Sequence, residues 1–215
     1  LAALIGIPYS YISPLAYIRT NIEGTYNILE SAKNLGLDKI LITSTSEVYG
    51  DPSIHPQVES YWGNVNPIGP RACYDEGKRV AEALCIAYKQ HRGVSIRIAR
   101  IFNTYGPFMD HEDGRVVSNF ITRALKGENL IIYGDGSQTR SLCYVDDTVE
   151  AIYRLATYPS SCSVNRIQVE SSEPIVMNIG NPVEMTVLDI AQSIKNVSGS
   201  KSKIIFKPLP IHDPK

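Results

Sequence analysis

Tyr74 and Lys78 stand four positions apart. On a helix that spacing puts both side chains on one face, a single turn apart. A phenol with a pKa of roughly 10 is a poor base at neutral pH. A cation about 5–6 Å away stabilises the phenolate and brings its pKa toward neutrality. Tyr74 could then take the proton of an alcohol while hydride leaves the same carbon. A surface tyrosine beside a solvated lysine gives the same pattern, so context has to decide. That context is the run Ser44-Thr45-Ser46-Glu47, which follows the apolar stretch Lys39–Thr43. In open parallel sheets ligands sit beyond the carboxyl ends of strands. Hydroxyls there can bind a sugar hydroxyl and Glu47 can move a proton, although Ser and Thr also serve ordinary strand-end turns.

Periodicity supplies elements that would position these groups. Ile18, Ile22, Tyr26, Leu29 and Ala32 predict a helix over Ile18–Leu35, stopped by Gly36. Lys39–Thr43 reads as a buried strand. Residues 51–70, rich in Pro, Gly, Asn and Asp, read as a long loop. Asp75–His91 reads as a helix apolar on two sides, with Val80, Leu84 and Ala87 on one and Ala81, Cys85 and Tyr88 on the other. Ser95–Ile101 follows as a strand. Helix, strand, helix, strand favours a parallel sheet with crossover helices.

The pattern changes after Gly106. Helices are expected over Arg115–Lys126, over Asp147–Thr157 with Asp146 as its cap, and after the capping-box pattern Thr186-x-x-Asp189. Strands are expected at Leu130–Tyr133, Ile175–Ile179 and Lys203–Phe206. A soft boundary near residue 106 would divide a sheet core, 1–106, from a mixed α/β lobe, 107–215.

Composition bounds the function. The 215 residues are 43% hydrophobic and 20% charged, with net charge -1. Near-neutrality and the lack of a basic run argue against a general nucleic-acid binder. No stretch reaches the roughly 18 apolar residues that a membrane span needs. Cys73, Cys85, Cys143 and Cys162 lack metal-type or CxxC spacing and read as free thiols of a reducing compartment. No metal is expected. Leu1-Ala-Ala-Leu-Ile opens inside an apolar run without Met, and Ile211–Lys215 carries no stop signal, so both ends read as cut.

Three segments carry a resemblance. Ser44-Thr-Ser-Glu-Val-Tyr-Gly50, Tyr74-x-x-x-Lys78 and Arg100-Ile-Phe-Asn-Thr-Tyr-Gly-Pro107 are similar to the extended short-chain dehydrogenases acting on nucleotide sugars. Tyr61–Arg79 and Asp113–Phe120 more closely resemble UDP-glucuronate decarboxylases, also called UDP-xylose synthases. The resemblance implies a Rossmann-like parallel sheet, NAD as cofactor and a UDP-sugar as substrate. The family's glycine-rich turn for NAD lies upstream of the segment matched by Leu1, so the fold is expected as the partial remainder of a NAD-binding domain plus a substrate lobe. Gly134-Asp-Gly136 does not replace that turn. The chain alone is therefore expected to be inactive.

The resemblance also implies roles. Tyr74 is the base, Lys78 tunes it and holds the nicotinamide ribose, and Thr45 binds the C4 hydroxyl. Ser46 and Glu47 assist decarboxylation and protonation at C5, and Arg140 faces a carboxylate or diphosphate. Asn103, Val117, Ser118 and Tyr133 line the UDP-sugar site, with Arg19 as a cationic substrate contact. Leu1, Thr20, Thr104 and Arg115 lie on the cofactor side. The apolar residues on more than one face of the helices at 18–35 and 75–91 predict that a full-length parent forms a homodimer through them, with Ala81 and Tyr88 outward, and the free thiols point to a cytoplasmic location, with a membrane-anchored luminal parent left open. Ile5-Gly-Ile-Pro-Tyr-Ser-Tyr11 looks more like the 4,6-dehydratases, which keeps a 4,6-dehydratase or 4-epimerase as the alternative. An inactive fragment or a partner-binding remnant is the third reading.

Overall fold

A computed structural model describes residues 3–37, 39–158 and 176–208. They fall into two compact units, Leu1–Ile101 with Thr148–Ile179, and Phe102–Asp147 with Gly180–Lys215.

The first unit is built on a parallel sheet. Strand β1 (Ile40–Thr45) pairs with β2 (Ile96–Ile101) in the register Ile40↔Ile96 to Thr45↔Ile101. On its other side β2 pairs with β7 (Val176–Ile179), also parallel. A short helix α1 (Ile7–Ile12) precedes α2 (Pro14–Asn34), which packs against α3 (Ala72–Arg92). Pro14 at the first turn of α2 starts the helix where its missing N–H costs nothing, four residues before the apolar periodicity alone suggests. Leu29, Cys85, Ile96 and Ile98 form the core on the α2/α3 side of the sheet. Ala99, Leu155 and Ile179 form the core on the side of α5 (Val145–Thr157). Both faces are covered, as the near-continuous apolar strands require. Arg97, 1% exposed on β2, donates to the Leu155 carbonyl at 2.7 Å and so satisfies part of the C-terminal end of α5.

The second unit pairs β4 (Leu130–Tyr133) with β9 (Ile204–Lys207) in parallel. Helices α4 (Val116–Lys126) and α6 (Val187–Ser198) pack on each other, with Phe120, Leu130, Ile132 and Ile190 as the core. The Thr186/Asp189 capping box forms as the sequence suggests. Two ladders escape sequence reading because each strand has only two or three residues: β3 (Thr104–Tyr105) with β6 (Cys143–Tyr144), and β5 (Thr139–Ser141) with β8 (Glu184–Thr186).

Three expectations change. A single cut near residue 106 does not describe the chain, because most of α5 and all of β7 return to the first unit, where they cover and extend its sheet. Asp146 lies inside α5 rather than capping it. Ala81 and Tyr88 are not outward: they are 3% and 9% exposed. Tyr88 donates to the carboxylate of Glu30 on α2 and meets Tyr26 edge-on, so α3 turns this ring toward α2. No described helix is long and apolar enough to cross a membrane.

Beyond β1 the chain turns through Gly50 and returns at Asn64, where the two form a parallel bridge. Gly50 has φ 65° and ψ -129°, and a Cβ there would lie 2.1 Å from the Asn64 carbonyl oxygen. Neither the backbone nor the space accepts a side chain. Gly50→Ala should lose about 1–3 kcal/mol of stability or more, read by urea unfolding; an unchanged midpoint would show that this return is not a constrained part of the fold.

Candidate active site

The groups singled out at the start converge at the carboxyl end of β1. The strand runs two residues further than expected, so Ser44 and Thr45 are its last residues rather than a turn. Thr45 then caps a 3-10 turn, Ser46–Tyr49, by accepting from the Glu47 N–H at 3.3 Å. This fixes Glu47 just past the strand end. Helix α3 begins at Ala72, which brings Tyr74 inside its first turn.

Three contacts join strand to helix. The Thr45 side chain stands beside the Tyr74 phenol and favours its ionised form. The Lys78 ammonium donates to the Thr43 carbonyl at 3.1 Å. The Ser44 hydroxyl donates to Glu82 Oε1 at 2.6 Å. Arg100 on β2 grips the same carboxylate with two bonds of 3.0 and 2.7 Å, and its third nitrogen donates to Tyr49 Oη at 2.8 Å. Such a forked pair fixes geometry as well as charge.

Two residues that the sequence reading passed over belong here. Arg71, just before α3, donates to Glu47 Oε2 at 2.8 Å. Asp75 follows Tyr74, and its Oδ1 is buried without a hydrogen-bond partner among the described residues. No periodic signal marks either one. Arg71 and Asp75 are four apart and flank the first turn of α3, so only the helix start reveals that they are neighbours.

Burial dominates the electrostatics. It pushes the Tyr74 phenol above its ordinary pKa; Glu47 and Asp75 add to that, while the Thr45 side chain and Arg71 oppose it. The expected lowering of Tyr74 by Lys78 is not found. Lys78, 8% exposed, points its ammonium at the Thr43 carbonyl, and burial lowers its own pKa against the opposing pull of Glu82. Burial raises the Asp75 carboxyl to about 6, opposed by Arg71 and reinforced by Glu47 and Glu76.

Other expected site residues are placed as follows. Ser46 lies half-buried in the 3-10 turn. Arg19 and Thr20 are on α2, with Arg19 exposed and paired to Glu23 at 2.9 Å. Leu1 and Cys162 lie outside the described residues. The rest belong to the second unit. Asn103 is exposed, and its carbonyl accepts from Cys143 N at 2.9 Å. Thr104 opens β3 and donates to the Phe102 carbonyl at 3.2 Å. Arg115 caps α4 and pairs with Asp113 at 3.1 Å. Val117 is buried in that unit's core, and the Ser118 hydroxyl donates to Asp113 and to the Arg115 carbonyl. Tyr133 ends β4 with 43% exposure, and Arg140 sits mid-strand on β5 with one bond to its neighbour's carbonyl.

The donor set of the first unit fits a dinucleotide's ribose. An ammonium has three donors. Among the described residues Lys78 uses one of them on Thr43, which leaves two for a diol beside the Tyr74 hydroxyl.

A model of the NAD dependent epimerase/dehydratase family matches residues 1–180. The chain belongs to this family. Among curated relatives it is 50% identical over 214 residues to UDP-glucuronic acid decarboxylase 1 of Danio rerio, covering 100% of this chain and 48% of that one. It is 54% identical over 189 residues to UDP-glucuronic acid decarboxylase 6 of Arabidopsis thaliana, covering 88% and 51%. The chain thus spans about half the length of the curated relatives it matches. Among solved structures it resembles UDP-glucose 4-epimerase of Thermotoga maritima with UDP-glucose, with TM-score 0.85, 28% identity and coverage of 99% and 64%. It also resembles UDP-glucuronic acid 4-epimerase of Bacillus cereus with UDP-glucuronic acid and NAD, with TM-score 0.78, 30% identity and coverage of 100% and 63%. The α/β fold with its parallel sheet and crossover helices is the one expected of this epimerase/dehydratase family.

The elevated Asp75 carboxyl makes stability depend on pH with a definite sign. Its folded pKa of about 6 exceeds the ordinary 3.8, so its contribution is fully present below about pH 4 and is lost as pH rises through about 6. Asp75→Asn, which cannot ionise, should therefore unfold at higher urea than the parent at pH 8 and at the same urea near pH 4. The gain is bounded by about 3 kcal/mol and reduced by solvent screening of a partly exposed group. Equal midpoints at both pH values would remove the assignment.

Proposed function

We propose that the protein, in its full-length form, decarboxylates UDP-glucuronate to UDP-xylose with NAD as cofactor. The observation that carries this reading is Glu47, held by Arg71 beside Thr45 and Tyr74 and preceded by Ser46. The roughly twofold gap in identity between the decarboxylase relatives and the epimerase structures supports it.

NAD, when bound against Lys78, supplies removal and return of hydride at C4 of the sugar. Thr45 would hold the C4 hydroxyl, and Tyr74 would take its proton as the carbon is oxidised. The C4 ketone then lies beta to the C6 carboxylate, so CO2 can leave with its electrons delocalised into that ketone. Glu47, assisted by Ser46, handles the proton that C5 must regain. A dehydratase needs a strong acid where Ser46 stands, and a hydroxyl is too weak for that at neutral pH. In the second unit, Arg140 is proposed for anionic oxygens of the substrate and Asn103, Val117, Ser118 and Tyr133 for the nucleotide sugar. Arg19 would add a cationic contact, with Leu1, Thr20, Thr104 and Arg115 on the cofactor side. The buried free cysteines Cys73, Cys85 and Cys143 support a cytoplasmic setting.

In the full-length enzyme Tyr74→Phe should lower C4 oxidation and CO2 release together, by about 10²–10⁴-fold, with UDP-sugar binding retained. Glu47→Gln should still accumulate the 4-keto sugar but form UDP-xylose slowly. Stopped-flow NADH absorbance paired with labelled CO2 counting separates the two. Normal CO2 release by Tyr74→Phe would remove the catalytic assignment, and a 6-deoxy product from a UDP-hexose would make the enzyme a dehydratase.

A homodimer is proposed through the outer faces of α2 and α3. Ile18 and Tyr26 on α2 and Val80 on α3 are 41%, 47% and 38% exposed, a stripe that a second copy would cover. Ile18→Glu and Val80→Glu should yield monomers in sedimentation of the full-length protein; dimers that persist in both variants would place the interface elsewhere.

A further inference from the structure

The mechanism above leaves one proton unaccounted for. When CO2 departs, the C5–C6 bond breaks and its electron pair passes into the C4 ketone as an enolate. The enolate then takes a proton at C5. Tyr74 cannot give that proton, because the one it took from the C4 hydroxyl is needed when C4 is reduced again. Each turnover therefore draws one proton from outside the Tyr74 cycle, and Glu47 has to be recharged after giving its own.

Asp75 is a carboxyl that nothing described so far uses. Its Oδ1 is buried with no donor aimed at it among the described residues. A carboxylate so placed pays for desolvation without compensation, whereas the neutral acid pays far less. The charged and titratable groups around it come from each neighbouring element. Arg71 and Glu76 flank it on α3 and its approach, and Glu47 in the 3-10 turn acts on it through its charge. Tyr74 and Cys73 precede it in the chain, and Tyr17 of α2 lies edge-on to Tyr74 at 6.3 Å. Arg71 is the one cation among the groups that act on Asp75, and it already holds Glu47 at 2.8 Å. Glu47 takes that ion pair, so the Asp75 carboxyl, with no donor at Oδ1, is the one best kept neutral.

We propose, building on the decarboxylase reading, that Asp75 is a positioning residue that holds a proton beside the Arg71–Glu47 pair and recharges Glu47 once Glu47 has protonated C5. The Asp75 O–H breaks and a Glu47 O–H forms, directly or through one water; solvent then returns a proton to Asp75. The negative charge moves from one carboxyl to the other within the attraction of Arg71. The upward displacement of the Asp75 carboxyl agrees with this role.

The test uses the full-length enzyme with NAD. Asp75→Asn should form the 4-keto sugar at a rate within about twofold of the parent, while UDP-xylose appears at least about tenfold more slowly. The limb of the UDP-xylose pH profile near about 6 should vanish in Asp75→Asn. Asp75→Glu, which keeps the acid, should restore both the rate and the limb, and it keeps the test open if the asparagine variant does not fold. A readout without turnover is ¹³C NMR of protein labelled at the aspartate carboxyl carbons: one resonance titrating near about 6 should be missing in Asp75→Asn. An unchanged UDP-xylose rate and profile in Asp75→Asn, or the absence of such a resonance in the parent, overturns the proposal alone. A parent enzyme that makes no UDP-xylose overturns the decarboxylase reading and this role with it, so the two failures are distinct.

Discussion

The site depends on how the end of β1 is tied to α3. Of three consecutive strand residues, Thr43 and Ser44 are hydrogen-bonded to Lys78 and Glu82, and Thr45 stands against Tyr74. The three helix residues are spaced four apart, so they form one stripe along a single face. Helix rotation and strand register are locked together: a slip of one residue in β1 would turn Ser44 and Thr45 to the opposite faces of the sheet and undo these contacts. The Glu82–Arg100 pair extends the lock to β2, with side chains only 13% and 12% exposed. A buried ion pair of this kind is poor evidence of net stability, because desolvation offsets most of the attraction. Its value here is directional, since the fork of Arg100 admits one orientation of Glu82, and Glu82 in turn fixes Ser44.

Locking the site also sets its chemistry. The burial that orders Tyr74 and Lys78 favours the neutral form of each, raising the phenol and lowering the ammonium. A base prepared in this way is quiet until a ligand changes its surroundings. Burial alone does not decide the sign of the local field. Arg71 lies among Glu47, Asp75 and Glu76, so the first turn of α3 carries more acid than base. That excess disfavours tyrosinate.

Much of this was legible in the residues themselves. The 3.6-residue periods of α2, α3, α4 and α6, the apolar strands and the Thr186/Asp189 box are local signals, and local physics produced the matching elements. Tyr74 and Lys78 share a helix face because four residues make about one turn. The identity of the family also lay in contiguous segments around Ser44, Tyr74 and Arg100. Element ends were less legible. Pro14 and the cap at Thr45 moved the start of α2 and the end of β1, and short ladders such as β5 with β8 have no periodicity to read.

What only the tertiary structure decided is which distant groups meet. Arg71 with Glu47, Ser44 with Glu82 and Arg97 with the end of α5 are separated by 24, 38 and 58 residues. No spacing rule reaches across such distances; they close when α3 and α5 settle on opposite faces of one sheet. The same packing buried Ala81 and Tyr88, which their sequence pattern had placed outward, because α2 supplied a partner surface that α3 alone does not reveal. It also left Asp75 Oδ1 without a donor, and a missing partner is a property of three-dimensional surroundings rather than of residue type. The sequence determined the reagents and the helix that carries them; the fold determined their charge states, because burial and neighbours are set only when the chain is packed.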